Sequence, residues 1–294
     1  MTLEFREAND GDAEPVAALA NAYEAAFSAE PDLNTGEEIR EWWQRDGERR
    51  LVLDAGETIA FAFLELRGGR YELDAFVHPS AFGRGIGTRL VEWGEERARA
   101  LGAPDLRSAI LAADSRGACL LRSRGFEHLR SFFRMMIDLE HEPPPAAWPA
   151  GFEVATLASG EERLIYEVVE DAFEDHWDHT RRTMEEWLSR RRLEHDLCFL
   201  VRAGERVAAG AECRRELFGM GWVNTLGTRR EFRRLGLAEA LLRHSFRELY
   251  ARGARRVGLG VDAENPTGAT RLYERVGMRI AWRADLYTKS LTVG

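Results

Sequence analysis

One stretch of this chain recurs in its second half, and that repeat constrains the fold more than any other feature. His78-Pro79-Ser80-Ala81-Phe82-Gly83-Arg84-Gly85-Ile86-Gly87 resembles Arg229-Arg230-Glu231-Phe232-Arg233-Arg234-Leu235-Gly236-Leu237-Ala238. The spacing from Gly85 to Gly236 is also the spacing from Gly102 to Gly253. Self-similarity at a fixed distance marks a duplicated unit, and 294 residues suit two domains of ordinary size. Between the copies runs Glu142-Pro143-Pro144-Pro145-Ala146-Ala147-Trp148-Pro149-Ala150-Gly151. Proline at this density continues neither a helix nor a central strand, so the segment reads as a stiff, extended linker. The expected organisation is a domain over 1–141, a linker over 142–151 and a domain over 152–294.

The two copies share a local pattern. A strand-like run, Tyr71 to Val77 or Gly221 to Thr228, precedes each repeated loop. Helical spacing follows: Ile86, Leu90, Gly94, Ala98 and Leu101 in one copy, Leu237, Leu241, Ser245 and Leu249 in the other. A second strand comes next (106–112, 256–261), then a short helix ending at Gly125-Phe126 or Gly277-Met278, then two closing strands. Each half reads as strand, two helices, three strands, helix, strand, helix, two strands. The fold class is α/β, an α+β mixed sheet with helices on its faces, in tandem.

Composition narrows the partners. A hydrophobic fraction of 45% is globular, and a formal net charge of -9 argues against a broad nucleic-acid footprint. Among 41 basic residues only Lys289 is a lysine. Cys119, Cys198 and Cys213 form no C-x-x-C pair and read as reduced thiols. The charged N-terminus is unlike a signal peptide, and no apolar run approaches membrane-spanning length. A soluble, cytoplasmic protein without membrane or nucleic-acid partners, monomeric or homodimeric, is expected.

The chemistry sits at the strand-to-helix loop. A helix start leaves backbone N–H groups unpaired and carries partial positive charge, and glycine or alanine there lets a phosphate approach. The loop has neither the Walker pattern nor the G-x-G-x-x-G of a dinucleotide fold. A further motif follows: Asp262-Ala263-Glu264-Asn265-Pro266-Thr267-Gly268-Ala269-Thr270-Arg271-Leu272-Tyr273-Glu274-Arg275-Val276-Gly277-Met278. With Arg-x-x-Gly-x-Ala upstream, this resembles the GNAT superfamily of acetyl-CoA-dependent N-acyltransferases.

The resemblance implies roles for particular residues. Leu226, Gly227 and Thr228 would lie along the pantetheine arm of acetyl-CoA as an added strand. Arg233, Arg234, Leu235, Gly236, Leu237 and Ala238 would cradle the pyrophosphate. Asn265 would face the pantetheine, and Asn265-Pro266 also reads as a helix N-cap and start. Tyr273 matches the tyrosine that protonates the departing thiolate. A phenol with a pKa of about 10 stays protonated at neutral pH and can donate to a thiolate whose thiol is near 8.5. A splayed or bulged strand near Gly227 would supply a backbone donor for the oxyanion.

The halves differ in ways that assign the chemistry to the second. The first half keeps a glycine-rich loop, and Val77, Arg84, Gly85, Gly87 and Thr88 are its candidate cofactor contacts. Its tyrosine position is Arg122 or Leu121, and Ala113 or Asp114 replaces the asparagine. A tandem with one degenerate half is similar in layout to the mycothiol synthases. The second half carries Asn224 where many relatives have a glutamate, so its general base must come from elsewhere. Glu174-Asp175-His176-Trp177-Asp178-His179 is the candidate acceptor loop, with Glu174, Asp175, His176, Asp178 and Asn224 as substrate contacts. The H-x-x-H spacing is not that of a zincin helix, and no metal is expected. The resemblance implies a small-molecule primary amine as acceptor, with an aminoglycosidic thiol precursor or a non-catalytic CoA-binding role as alternatives.

Overall fold

The computed structural model describes residues 3–189, 191–265 and 267–292. Two series of elements follow one another along the chain. The first is β1 (Glu4–Arg6), α1 (Ala13–Ala25), α2 (Gly36–Trp42), β2 (Gly47–Asp54), β3 (Glu57–Arg67), β4 (Arg70–Val77), α3 (Ile86–Ala100), β5 (Asp105–Leu111), α4 (Ser115–Ser123) and β6 (Glu127–Asp138). The second repeats it: β7 (Glu153–Thr156), α5 (Glu162–Phe173), α6 (Met184–Ser189), β8 (Cys198–Ala203), β9 (Arg206–Leu217), β10 (Met220–Thr228), α7 (Leu237–Ala251), β11 (Arg256–Asp262), α8 (Ala269–Arg275) and β12 (Arg279–Ser290). The pair of closing strands expected in each half is a single strand of 12 residues, β6 or β12. Neither run contains the glycine, proline or asparagine that would turn the chain back.

These long strands change unit along their length. One compact unit comprises Met1–Phe133, Asp262–Glu264 and Ala281–Gly294; the other comprises Arg134–Val261 and Asn265–Ile280. In the first unit β1-β2-β3-β4-β5 are consecutive neighbours, and Ala284–Ser290 of β12 runs antiparallel to β5. In the second, the order is β11-β10-β9-β8-β7, with the end of β6 beside β11. There Leu139 N–H donates to the Arg255 carbonyl at 2.8 Å. Each sheet is thus completed by a strand from the other half of the sequence.

Apolar alternation decides which faces are covered. In the first unit Phe61 and Phe63 of β3 pack with α1 and α2 residues, including Val16, Leu19 and Ile39. Ala60, Ala62 and Leu64 of the same strand face the other way, with Ile86, Leu90 and Val91 of α3. A period of two puts neighbours on opposite faces, so a strand buried throughout needs helices on both. Gly94 lets α3 approach β4: a Cβ there would stand 2.6 Å from Leu73 Cδ2. In the second unit, Ile165, Val168 and Val169 of α5 and Trp187 of α6 bury against Cys198, Leu200 and Val207.

Candidate active site

The sheet of each unit opens at its centre. β10 pairs with β9 along its length, but its parallel pairing with β11 is confined to Gly221 with Val257 and Trp222 with Gly258. From Val223 onward its other edge leaves the ladder, exposing backbone donors and acceptors for an extended ligand. β4 and β5 behave alike, pairing at Tyr71 with Leu106 and Glu72 with Arg107. One feature separates the units. The β9–β10 register shifts twice, between Met220 and Trp222 and again between Val223 and Thr225, the second shift making Asn224 the extra residue of a bulge. The β3–β4 register runs unbroken from Ala60/Val77 to Arg67/Arg70. The bulge therefore lies at Asn224. Gly227, where a distortion was expected, keeps regular pairing with Gly210, and its missing side chain serves packing: a Cβ would stand 2.6 Å from Ala172 of α5.

The loops that follow share one backbone conformation. A 3-10 turn spans Arg230–Phe232, Arg234 (φ 65) and Gly236 (φ 83) are left-handed, and α7 begins with no side-chain cap. In the first unit the turn is Pro79–Ala81, Gly83 (φ 76) and Gly85 (φ 75) are left-handed, and α3 is likewise uncapped. Glycine adopts this conformation freely, whereas Arg234 pays about 1 kcal/mol or more for it, as residues at ligand sites often do. Leu237 is buried and offers only its backbone, Ala238 is half-buried, and Leu235 is 47% exposed. Arg84 pairs with Asp54 at 2.8 Å. Gly87 and Thr88 lie in the first turn of α3, and Val77 ends β4.

The acidic loop meets the loop that opens α7. Asp175 accepts from Arg230 at 2.5 Å and from Arg233 at 3.2 Å, and these two hydrogen bonds hold its carboxyl below the ordinary value. Glu174 lies 3.5 Å from Arg230. Arg233 also donates to the carbonyls of Ala172 and Thr228. His176 stacks on Phe173, and its Nε2 lies 3.1 Å from Asn265 Nδ2. Thr267 donates its N–H to Asn265 Oδ1 at 2.8 Å, so the amide nitrogen must face His176, whose Nε2 is then the acceptor. Asp178 holds a left-handed φ of 59, and His179 reaches buried Glu170 at 3.2 Å. The structure thus gathers Glu174, Asp175 and His176 around Arg230, Arg233 and Asn265.

Asn265 is not a helix N-cap. Its side chain closes a turn onto Thr267, and α8 begins at Ala269 with Gly268 (φ 75) in the cap position. Pro266 lies outside the described residues. Tyr273, on α8, is 8% exposed, and burial raises its hydroxyl to about 12. Buried so, it stays protonated at neutral pH and has a proton to donate. In the first unit, Leu121 is a core residue and Arg122 donates to the Tyr287 hydroxyl at 3.1 Å. Asp114 caps α4 and accepts from Tyr23. A cavity of about 490 Å³ opens at the end of β5, between Phe27, Leu111, Ala113, Phe133 and Trp282. Its lining contains no acid to protonate a leaving group.

One residue of the site escapes sequence reasoning. Glu212 on β9 is 1% exposed and accepts from Asn224 Nδ2 at 3.0 Å, Arg191 at 2.9 Å and Thr225 Oγ1 at 3.4 Å. Its signal was a single charge inside the apolar run Val207-Ala208-Ala209-Gly210-Ala211-Glu212-Cys213. Among the described residues no group of three or more His, Cys, Asp or Glu side chains is arranged to hold a metal ion. No described helix is long and apolar enough to cross a membrane.

The same layout recurs in known proteins. The model of the acetyltransferase (GNAT) family matches residues 16–126 and 163–278. Mycothiol acetyltransferase of Streptomyces avermitilis is 30% identical over 248 residues, 80% of this chain and 77% of the relative. That of Streptomyces scabiei is 28% identical over 272 residues, 84% and 82% respectively. A GCN5-related N-acetyltransferase from Sphaerobacter thermophilus superposes with a TM-score of 0.86 at 34% identity, covering 99% of this chain and 96% of its own. A tandem GNAT protein from the clavulanic acid biosynthesis pathway shares the fold over the full length of both chains, with a TM-score of 0.73 at 17% identity. Matched along most of its length and carrying the opened sheet and uncapped loop twice, this chain belongs to the GNAT acetyltransferase family and is an acyltransferase of tandem layout.

Proposed function

We propose that the second unit transfers an acetyl group from acetyl-CoA directly to a primary amine of a small molecule, and that the first unit does no turnover. The observation that carries this is an asymmetry. Both units have the opened sheet and the left-handed loop, but only the second has the bulge at Asn224 together with the buried Tyr273. The residues present fit acetyl-CoA. Leu226, Gly227 and Thr228 offer a free strand edge, and the N–H groups at Gly236, Leu237 and Ala238 converge at an uncapped helix start. Bound there, acetyl-CoA supplies an activated thioester carbonyl. The bulge turns a backbone N–H of β10 out of the ladder, as an oxyanion donor requires. Tyr273 gives its proton to the sulfur as the C–S bond breaks, and is reprotonated from solvent. The nitrogen sheds its proton to water. General-acid help of this kind contributes about 10²–10⁴-fold.

A second reading follows from the relatives: an acceptor of the cysteinyl-aminoglycoside type, acetylated on its amine. The mycothiol acetyltransferases at 28% and 30% identity support it. A strongly cationic acceptor gains less from the acidic loop than its composition implies, because Glu174 and Asp175 already face Arg230 and Arg233. The two repeats proposed for these roles are 1–141 and 152–294, joined by 142–151, each lending the end of its closing strand to the other's unit, in a cytoplasmic monomer or homodimer. The test is release of free thiol from acetyl-CoA on adding neutral, cationic and cysteinyl-aminoglycoside amines. Amine-dependent release is expected; none with any amine overturns the reading.

A further inference from the structure

Asn224 is the bulged residue of β10, exposed at the mouth of the opened sheet. An amide cannot take the proton of an attacking amine, yet its orientation is fixed from behind. Gly210 of β9 faces α5, since a Cβ there would stand 3.4 Å from Val168 and 3.6 Å from Ile165. Glu212, two residues on, shares that face. Arg191 holds one carboxylate oxygen and is itself held over buried Trp187, its guanidinium carbon 4.4 Å from the ring centroid. The other oxygen accepts from Asn224 Nδ2. A carboxylate only accepts, so the reverse orientation of the amide would oppose two oxygens. Nδ2 therefore stays on Glu212, and Oδ1 points away from it, with no hydrogen bond to any described residue.

We infer that Glu212 is a positioning residue: it locks Asn224 so that Oδ1 accepts an N–H of the attacking amine and aims the nitrogen lone pair at the thioester carbon. This rests on the acetyl-transfer reading above and names the part of that site that chooses the nucleophile. Glu212 is not itself the base, because it is buried and its two oxygens already accept from three donors. A fixed carbonyl acceptor favours nucleophiles that keep an N–H while they attack; an alkoxide or thiolate has no donor to offer it. The nitrogen still enters as the free amine, so the rate follows the amine's own ionisation.

The experiment compares wild type, Glu212→Gln, Asn224→Ala and the double variant Glu212→Gln/Asn224→Asp, using thiol release with a primary amine that the wild type accepts. In Glu212→Gln the new amide has one carbonyl for both Arg191 and Asn224, so the Asn224 amide loses its lock. The expected result is a fall of about ten- to hundredfold in kcat/KM for the amine, with KM for acetyl-CoA unchanged. The double variant moves the carboxylate to position 224, where it accepts from both the new amide at position 212 and the amine, and it should recover most of the loss. Asn224→Ala, at an exposed position, should fold normally and lose as much as Glu212→Gln. Full turnover by either single variant overturns the inference, as does a folded double variant no better than Glu212→Gln. If Glu212→Gln does not fold, Asn224→Ala alone decides. A wild type inert to every amine overturns the acetyl-transfer reading and the inference with it; an active wild type with an indifferent Glu212→Gln overturns the inference alone.

Discussion

The guanidinium of Arg233 lies 3.2 Å from the carboxylate of Asp175, across the loop where the pyrophosphate of acetyl-CoA is proposed to bind. Asp175 also takes Arg230 at 2.5 Å. An anion arriving at the α7 start must share these cations with a carboxylate already present. Asp175→Asn should therefore tighten CoA binding by about two- to fivefold at low salt, the scale of an exposed ion pair, with the gain shrinking as salt rises. Isothermal titration calorimetry checks it, and weaker binding by the variant would show that Asp175 orders the loop for the cofactor.

Gly236 is left-handed with open space beside it: the nearest atom to an added Cβ is Pro149 Cγ at 3.9 Å. Its requirement is conformational. Gly236→Ala should cost about 1–2 kcal/mol of stability, measured by urea unfolding. Gly236→Glu adds a negative charge at the helix start and should weaken CoA binding by about tenfold or more beyond the alanine variant. Equal affinity in the two variants, with the first-unit loop also disabled by Gly85→Glu, would remove the pyrophosphate from this loop.

The first unit carries a pH dependence of its own. Asp74 sits among Arg67, Glu65 and Glu72; burial, chiefly, raises its carboxyl to about 7, with Arg67 opposing and the two glutamates adding to the rise. A folded value above the unfolded one means the folded state binds the proton more tightly. The stabilisation is fully present below about pH 4 and is lost as pH rises through about 7. Asp74→Asn removes the titration. Its melting temperature relative to wild type should rise between pH 5 and pH 8, by a few degrees. A difference that is flat or falling with pH contradicts the assignment.

The legible parts of this molecule were those encoded locally. The repeated glycines at 85 and 236 marked the strand-to-helix loops, though not their left-handed backbone, which Arg234 shares, and the apolar spacing of 237, 241, 245 and 249 announced α7. The opening of the sheet was not legible, because it depends on where the hydrogen bonds between β10 and β11 stop, and no side chain marks that point. The bulge moved from the expected Gly227 to Asn224 for the same reason. Glu212 meets Asn224 across two strands and a register shift, a contact that spacing along one strand does not reveal. The passage of β6 and β12 from one unit to the other is not legible in the sequence, since no glycine, proline or asparagine in Glu127–Asp138 marks the point where the strand changes unit. Asn265 followed by proline carried a helix-start signal that Gly268 took over, once the amide had turned onto Thr267 and His176.

The central claim, that chemistry belongs to the second unit and passes through Tyr273, is tested most directly by one paired measurement. Steady-state thiol release from acetyl-CoA is followed for Tyr273→Phe and for Arg122→Ala, which neighbours Leu121, the first-unit residue whose carbonyl accepts from Phe126 N–H as that of Tyr273 accepts from Met278 N–H. The hydroxyl acts as the C–S bond breaks, so Tyr273→Phe should lower kcat by about 10²–10⁴-fold and leave KM for acetyl-CoA within about twofold. Arg122→Ala should turn over like wild type. Full turnover by Tyr273→Phe, or a comparable loss in Arg122→Ala with the fold intact, would contradict the account.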